Sequence, residues 1–117
     1  MATSSRQSSR TQRTRRKANV YFFIKTQNPR PTFHLDMTPD ERVIMERHIA
    51  YWSEKAANGI AIVFGPVVDP QGVYGIGVYQ VQDEAEMRDL LEHDPANGLL
   101  HYEVLPMPRA VVGILRA

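Results

Sequence analysis

The sequence has no cysteine among its 117 residues. This absence excludes disulfides, thiolate nucleophiles and zinc sites with cysteine ligands, so any chemistry must come from His, Asp, Glu, Tyr, Lys or Ser. No apolar run approaches the roughly 18 residues that a membrane-spanning helix needs, and the N-terminus lacks the apolar centre of a secretory signal. We therefore expect a cytoplasmic protein without a membrane partner.

Charge is divided unevenly along the chain. Residues 1–17 contain six Lys or Arg and no acid, which leaves eight cations against thirteen acids in residues 18–117. The first segment is also rich in Ser and Thr, so we expect residues 1–17 to form a disordered basic tail, with a transit peptide or an arm that contacts RNA or anionic lipid as alternatives. Residues 18–117 should form one domain, whose acidic balance argues against nucleic acid as a partner of that folded body.

The first half of this domain is predicted to contain two strands flanking a helix. Residues 20–24 form a β-branched and aromatic run that is typical of a central strand, and the prolines at 29 and 31 end it before a loop through residue 37. Thr38 and Glu41 enclose Pro39 in a capping-box pattern that begins a helix, and Gly59 closes this helix after Asn58. Residues 60–64 are predicted to form the second strand.

The second half is predicted to add a hairpin, a helix and two further strands. Residues 69–72, Asp-Pro-Gln-Gly, favour a type I turn leading into a strand over 73–81. Asp83 begins a second helix that must end near Asp94, because Pro95 disfavours helical geometry before it. Residues 100–105 and 111–115 have the pattern of strands, the last one short.

This order predicts an α+β fold of the ferredoxin-like βαββαβ type, an antiparallel sheet with two helices on one face. The other face would carry alternating apolar residues such as Tyr74, Ile76 and Val78. Such a patch is too large for a soluble monomer, so we expect two sheets to pack face to face as a homodimer.

The long helix is predicted to bury one narrow stripe, formed by Met45, Ile49, Trp52 and Ala56. His48 lies at the edge of this stripe, at the rim of the core, where a cleft could open. Residue types alone leave two interpretations open: a half-exposed structural histidine, or a catalytic or ligand-binding one. In the strand over 73–81, Gly75 and Gly77 share a face, which favours close packing by a helix over the alternative of an open pocket floor.

Several motifs in this order resemble the YciI-like (YCII-related) family over about residues 20–108. They are His48 with Tyr51, Gly59, Gly65-Pro66, residues 69–72 with Gly75, Asp94-Pro95 and Gly98-Leu99. The resemblance implies a dimeric α+β barrel whose site is a pair formed by His48 and Asp94. One class in that family is a dehydrochlorinase acting on a chlorinated hydroxyhydroquinone. The chain departs from the pattern at Met45, where arginine is common, and at Ile76, where a serine often follows the glycine.

The chemistry of such a pair is acid/base catalysis. A carboxylate that accepts one ring N–H of a histidine fixes its tautomer, so the other nitrogen can move a proton near neutral pH. Tyr51 is a candidate for hydrogen bonding to a substrate oxyanion, and the backbone at Gly65, Pro66 and Gly75 could approach a substrate closely.

Other mechanisms are less favoured by the sequence. No serine lies in a strand-to-helix elbow, and the four histidines show no metal-ligand spacing, so we expect neither a metal nor a cofactor. The sequence therefore predicts a small cofactor-free enzyme of lyase or isomerase type with a small cyclic or aromatic substrate, and the family resemblance implies that the reaction would be dehydrochlorinase-like. The alternative is a noncatalytic ligand-binding or accessory dimer of the same fold.

Overall fold

The computed structural model describes residues 19–113 and contains one four-stranded antiparallel sheet with strand order β2-β3-β1-β4. The elements are β1 (Val20–Gln27), α1 (Phe33–Asp36), α2 (Pro39–Ala57), β2 (Ala61–Asp69), β3 (Gly72–Val81), α3 (Glu84–Glu92) and β4 (His101–Pro106). The predicted ferredoxin-like order is confirmed, and β1 is a central strand as expected. The predicted basic tail, residues 1–17, lies outside the described residues.

Helix α2 begins and ends at the predicted signals. The Thr38 hydroxyl accepts the Glu41 N–H at 3.2 Å, and the Glu41 carboxylate accepts the Thr38 N–H at 2.9 Å, which completes the capping box. At the other end Gly59 adopts φ +86°, and the Ile60 N–H donates to the Lys55 carbonyl at 2.9 Å. The left-handed glycine therefore reverses the chain toward β2.

Strand β2 is longer than predicted. The sequence analysis ended it at residue 64, before Gly65-Pro66, but pairing with β3 continues to Asp69, with Pro66 opposite Gly75. Proline is tolerated here because β2 is an edge strand, so its missing N–H interrupts no second ladder. The predicted hairpin turn is present, and Asp69 accepts the Gln71 N–H at 2.9 Å.

Two other local predictions were wrong. The loop expected between β1 and α2 contains the short helix α1, whose Phe33 is buried. Residues 111–113 form no strand, and the rest of the predicted final strand lies outside the described residues. Both errors concern short segments, for which packing against the sheet decides more than local pattern.

The core lies on one face of the sheet and joins it to both long helices. Its buried members are Phe22, Ile24, Trp52, Ala61, Tyr79, Val81, Met87 and Leu91. Trp52 belongs to the predicted stripe of α2 and is 2% exposed, but Ile49 is 53% exposed and Ala56 is also exposed. Helix α2 is therefore rotated from the predicted orientation, with His48 turned toward the sheet.

The opposite sheet face carries apolar side chains without a helix over them in the described part of the chain. By strand register it includes Phe23, Val63, Ile76, Val78 and Leu105. No helix within residues 19–113 is long and apolar enough to cross a membrane.

Candidate functional site

Asp94 is fixed by the connection between α3 and β4. Its N–H donates to the Leu91 carbonyl at 3.2 Å as the helix ends, and Pro95 prevents continuation of the helix. One carboxylate oxygen accepts the Ala96 N–H at 2.8 Å, while the Asp94 carbonyl accepts the Asn97 N–H at 2.9 Å. The loop that contains Asp94 thus helps to orient its side chain, independently of contacts with other elements.

The carboxylate of Asp94 also accepts hydrogen bonds from α2 and β4. Both oxygens lie 2.9 Å from His48 Nδ1, and Oδ2 accepts the Trp52 Nε1–H and the Tyr102 hydroxyl, each at 2.8 Å. Asp94 is 3% exposed, so these donors replace the water that a surface carboxylate would bind. A buried charge with this many donors is held in one position.

The same contacts determine the charge of Asp94. Burial alone would raise the pKa of this carboxyl, but hydrogen bonds from His48, the Ala96 N–H and Trp52 outweigh it and hold the pKa below its usual value. Asp94 is therefore a carboxylate at neutral pH.

His48 uses one ring nitrogen for this carboxylate, and its side chain lines a cavity. An ionised carboxylate can only accept, so Nδ1 carries the proton and, in the neutral ring, Nε2 has the free lone pair. Nε2 has no partner among residues 19–113. The side chain of His48 is 14% exposed, and its ring lines the cavity.

The cavity lies between α2 and the sheet and has a volume of about 220 Å³. Its apolar walls come from both layers and include Ile24, Phe33, Met45, Trp52, Phe64 and Leu100. Polar side chains are fewer and include Thr26, Asn28, His34 and His48. The cavity thus combines the His48 side chain, whose Nε2 has no partner among residues 19–113, with a largely apolar lining.

The remaining residues predicted for the site separate into two groups. Gly65, Pro66 and Gly75 line the cavity, where the edge strand β2 meets β3. Tyr51 is not among the lining residues, because its hydroxyl donates to the Leu90 carbonyl at 2.7 Å, between α2 and α3. Burial is the main cause that raises the pKa of Tyr51 to about 12, so this hydroxyl stays a neutral donor.

Gly77 lies under the side chain of Tyr79, which lines the cavity. A Cβ at this position would collide with the hydroxyl and ring of Tyr79, so the hydroxyl end of the phenol lies directly against the glycine backbone. The Trp52 ring covers Tyr79 from the helix side, with ring centroids 4.6 Å apart. The two glycines therefore differ: the Tyr79 ring, packed in turn against Trp52 of α2, covers Gly77, while Gly75 lines the cavity.

Helix α1 contributes Phe33 and His34 to the lining of the cavity, and an ion-pair cluster ties this helix to α2. Arg30 donates to both oxygens of Glu41, at 2.9 and 2.8 Å, and to Asp36 at 2.8 Å. Hydrogen bonds from Arg30 and then from the Thr38 backbone lower the pKa of Glu41 to about 2. The cluster fixes the chain around Phe33 against the start of α2.

Sequence reasoning missed two donors to Asp94 and the contribution of α1. Trp52 was assigned to the core, and its indole N–H gave no separate signal. Tyr102 lies on β4, where the alternation of the sequence places every second residue toward the core. A tyrosine at such an inward position usually needs a hydrogen-bond partner for its hydroxyl, and this was the available signal. Within residues 19–113, no three His, Cys, Asp or Glu side chains come close enough to hold a metal ion together.

The fold and site define a class: a small ferredoxin-like α+β domain with a buried His–Asp pair open to a cavity between helix and sheet. The model of the YCII-related domain matches residues 21–108. The chain therefore belongs to the YCII-related family. No match is found among curated proteins.

Proposed function

We propose that this protein is a cofactor-free acid/base enzyme of lyase or isomerase type acting on a small cyclic or aromatic substrate. His48 Nε2 is the proton-transferring group, and Asp94 is the positioning residue that holds the imidazole. The dehydrochlorinase known in the family is the nearest reaction type. In that reaction the base takes a proton, chloride leaves with its bonding electrons, and the ring loses HCl overall.

The observation that supports this proposal is that the two ring nitrogens of His48 have different environments. Nδ1 lies 2.9 Å from both oxygens of a buried carboxylate, while Nε2 lacks any partner in the described chain and belongs to a side chain that lines the cavity. This is how a general base is oriented by a third group. A histidine that served structure alone would have no need to face a cavity.

The cavity supports a monocyclic substrate. An apolar cavity of about 150 Å³ accommodates benzene, so about 220 Å³ has room for one ring with small substituents. Met45 and Ile76, the two departures from the family pattern, are both among the lining residues. Met45 adds an apolar side chain from α2, which favours an uncharged ring, whereas the side chain of Ile76 lies on the other face of the sheet.

A chloride-release assay with a chlorinated hydroxyhydroquinone tests the proposal. His48→Gln keeps a polar side chain able to reach Asp94 but removes the base, so we expect chloride release to fall at least about 100-fold. The matched control is His93→Gln. His93 lies outside the cavity and forms an exposed pair with Asp89, so its substitution should leave the rate unchanged.

The alternative is a noncatalytic ligand-binding or accessory dimer. It is favoured by the number of donors on Asp94, which join α2, the loop after α3 and β4, as a purely structural carboxylate would. Absence of chloride release by the wild-type protein, with retained binding of the chlorinated ring, would support this alternative. Equal rates for the wild-type protein and His48→Gln would also refute His48 as the base.

We also propose that the uncovered sheet face forms a homodimer. Phe23, Val78 and Leu105 are apolar, lie on this face by register, and are half-buried or exposed. Packing two such faces would remove the patch from water and give a two-sheet sandwich. The cytoplasmic location predicted from the sequence stays part of this proposal.

A further inference from the structure

The hydroxyl of Tyr79, like His48 Nε2, belongs to a residue that lines the cavity and has no hydrogen-bond partner within residues 19–113. Tyr79 lies on β3, faces α2 and is 4% exposed. Its phenol is confined between the Trp52 ring and the backbone of Gly77, so the hydroxyl cannot swing away to another part of the protein. The ring direction is fixed by packing, as expected for a preorganised binding group.

This hydroxyl has no hydrogen-bond partner within residues 19–113, yet it is not sealed from solvent. The described chain contains no buried side-chain oxygen or nitrogen without a partner, so the Tyr79 oxygen must be accessible. Because Tyr79 lines the cavity, the cavity is where that access lies. A fixed phenol with a free O–H therefore points a hydrogen-bond donor at whatever occupies this space.

The polar groups of the neighbouring aromatic side chains, Trp52, Tyr51 and Tyr102, each have a hydrogen-bond partner in the protein. The Tyr102 hydroxyl and the Trp52 indole bind Asp94, and the Tyr51 hydroxyl binds the Leu90 carbonyl. Tyr79 differs from them although it belongs to the same aromatic cluster. A buried polar group that lacks a protein partner is costly unless a ligand or water completes it.

The protonation state of Tyr79 is also fixed. Burial raises its pKa, and the negative charge of Asp94 raises it further, so the phenol remains neutral throughout the physiological range. The group is thus a donor and not a base.

We propose that Tyr79 binds an oxygen substituent of the substrate, a ring hydroxyl or ring carbonyl, by donating a hydrogen bond from its hydroxyl. This inference rests on the proposed function and narrows the substrate class to oxygenated rings. His48 would then act on the same ring that Tyr79 orients. A donor on the ring oxygen also stabilises negative charge that develops there when a proton is removed.

The experiment compares the binding of phenol and toluene, two rings of nearly equal size, by NMR titration of the full chain. The wild-type protein should prefer phenol. Tyr79→Phe should weaken phenol binding by about 3- to 10-fold, the usual effect of one neutral hydrogen bond, and leave toluene binding unchanged. The variant should fold normally, because the lost hydroxyl has no protein partner.

Tyr21→Phe is the matched control, because Tyr21 lies on the other face of the sheet and its hydroxyl donates to Gln80. It should leave both affinities unchanged. Unchanged phenol affinity in Tyr79→Phe, or no phenol binding by the wild-type protein, would overturn the inference. Either result leaves the role of His48 standing if chloride release still depends on it. Conversely, loss of phenol preference in Tyr79→Phe without any chloride release would support Tyr79 and reject the proposed reaction.

Discussion

Replacing Asp94 with asparagine should destabilise the protein even though the two side chains have nearly the same shape. Every protein group that contacts the Asp94 carboxylate is a donor: His48 Nδ1–H, Trp52 Nε1–H, the Tyr102 hydroxyl and the Ala96 N–H. Asparagine offers one acceptor oxygen and one NH₂ donor. In either orientation of the amide, the NH₂ therefore faces at least one N–H that cannot reverse its role.

The magnitude follows from what each orientation leaves unpaired. His48 can change tautomer and the Tyr102 hydroxyl can rotate, but neither the Trp52 indole nor the Ala96 amide can accept. One buried N–H without a partner costs about 1–3 kcal/mol, and the hydrogen bonds that remain lose their charge assistance. Relief from burying a charge offsets part of this, so we expect a loss of about 3 kcal/mol in the free energy of unfolding. For a domain of this size that corresponds to a fall of roughly 12–24 °C in melting temperature.

Urea unfolding of the wild-type protein and Asp94→Asn at several pH values measures this loss. The folded pKa of Asp94 is lowered, so its stabilising contribution is fully present above the unfolded value of about 3.9 and disappears as pH falls through the folded pKa. The difference in the free energy of unfolding between the two proteins should therefore be constant from pH 7 to about 5. Below about pH 3.9 it should narrow by up to about 1.4 kcal/mol per pH unit.

Asp89→Asn is the control, because Asp89 is exposed and its partner His93 is also at the surface. It should change stability by less than about 0.5 kcal/mol at any pH. A loss below about 1 kcal/mol for Asp94→Asn at pH 7, or a difference that does not narrow in acid, would contradict the hydrogen-bond argument. Because the variant is destabilised, His48→Gln remains the better test of catalysis.

Gly77→Ala should lower stability by about 1–3 kcal/mol, because its methyl group would displace the Tyr79 ring. Gly65→Ala is the control, because its added methyl meets no atom within 4 Å, and it should lower the free energy of unfolding in urea by much less. Equal losses for the two variants would show that contact with Tyr79 does not cause the destabilisation. Val78→Glu should convert the proposed dimer to a monomer by placing a charge in the uncovered sheet face. Light scattering would measure the molecular mass of each protein. The control is Val68→Glu, because Val68 is exposed near the hairpin turn and its substitution should leave the mass unchanged. A monomeric wild-type protein would refute the dimer.

The sequence by itself determined the fold because its strongest signals are local. The capping box at Thr38, the left-handed Gly59 and the turn before Gly72 each specify backbone geometry through a few neighbouring atoms. The position of Asp94 is local in the same sense, since Pro95 ends α3 and the Ala96 N–H orients the carboxylate. Once the ends of the helices and strands are known, their order along the chain is compatible with few sheet topologies.

The tertiary structure decided the rotation of α2 and therefore the composition of the site. Hydrophobic spacing predicted that Ile49 would be buried, yet the helix turns His48 and Trp52 toward Asp94 and leaves Ile49 exposed. The physical reason is that a buried carboxylate must have donors, and the two donors that α2 supplies, Trp52 and His48, are 42 and 46 residues away in the chain. The free Tyr79 hydroxyl likewise follows only from packing, because no local pattern indicates which polar groups a folded protein leaves without a partner.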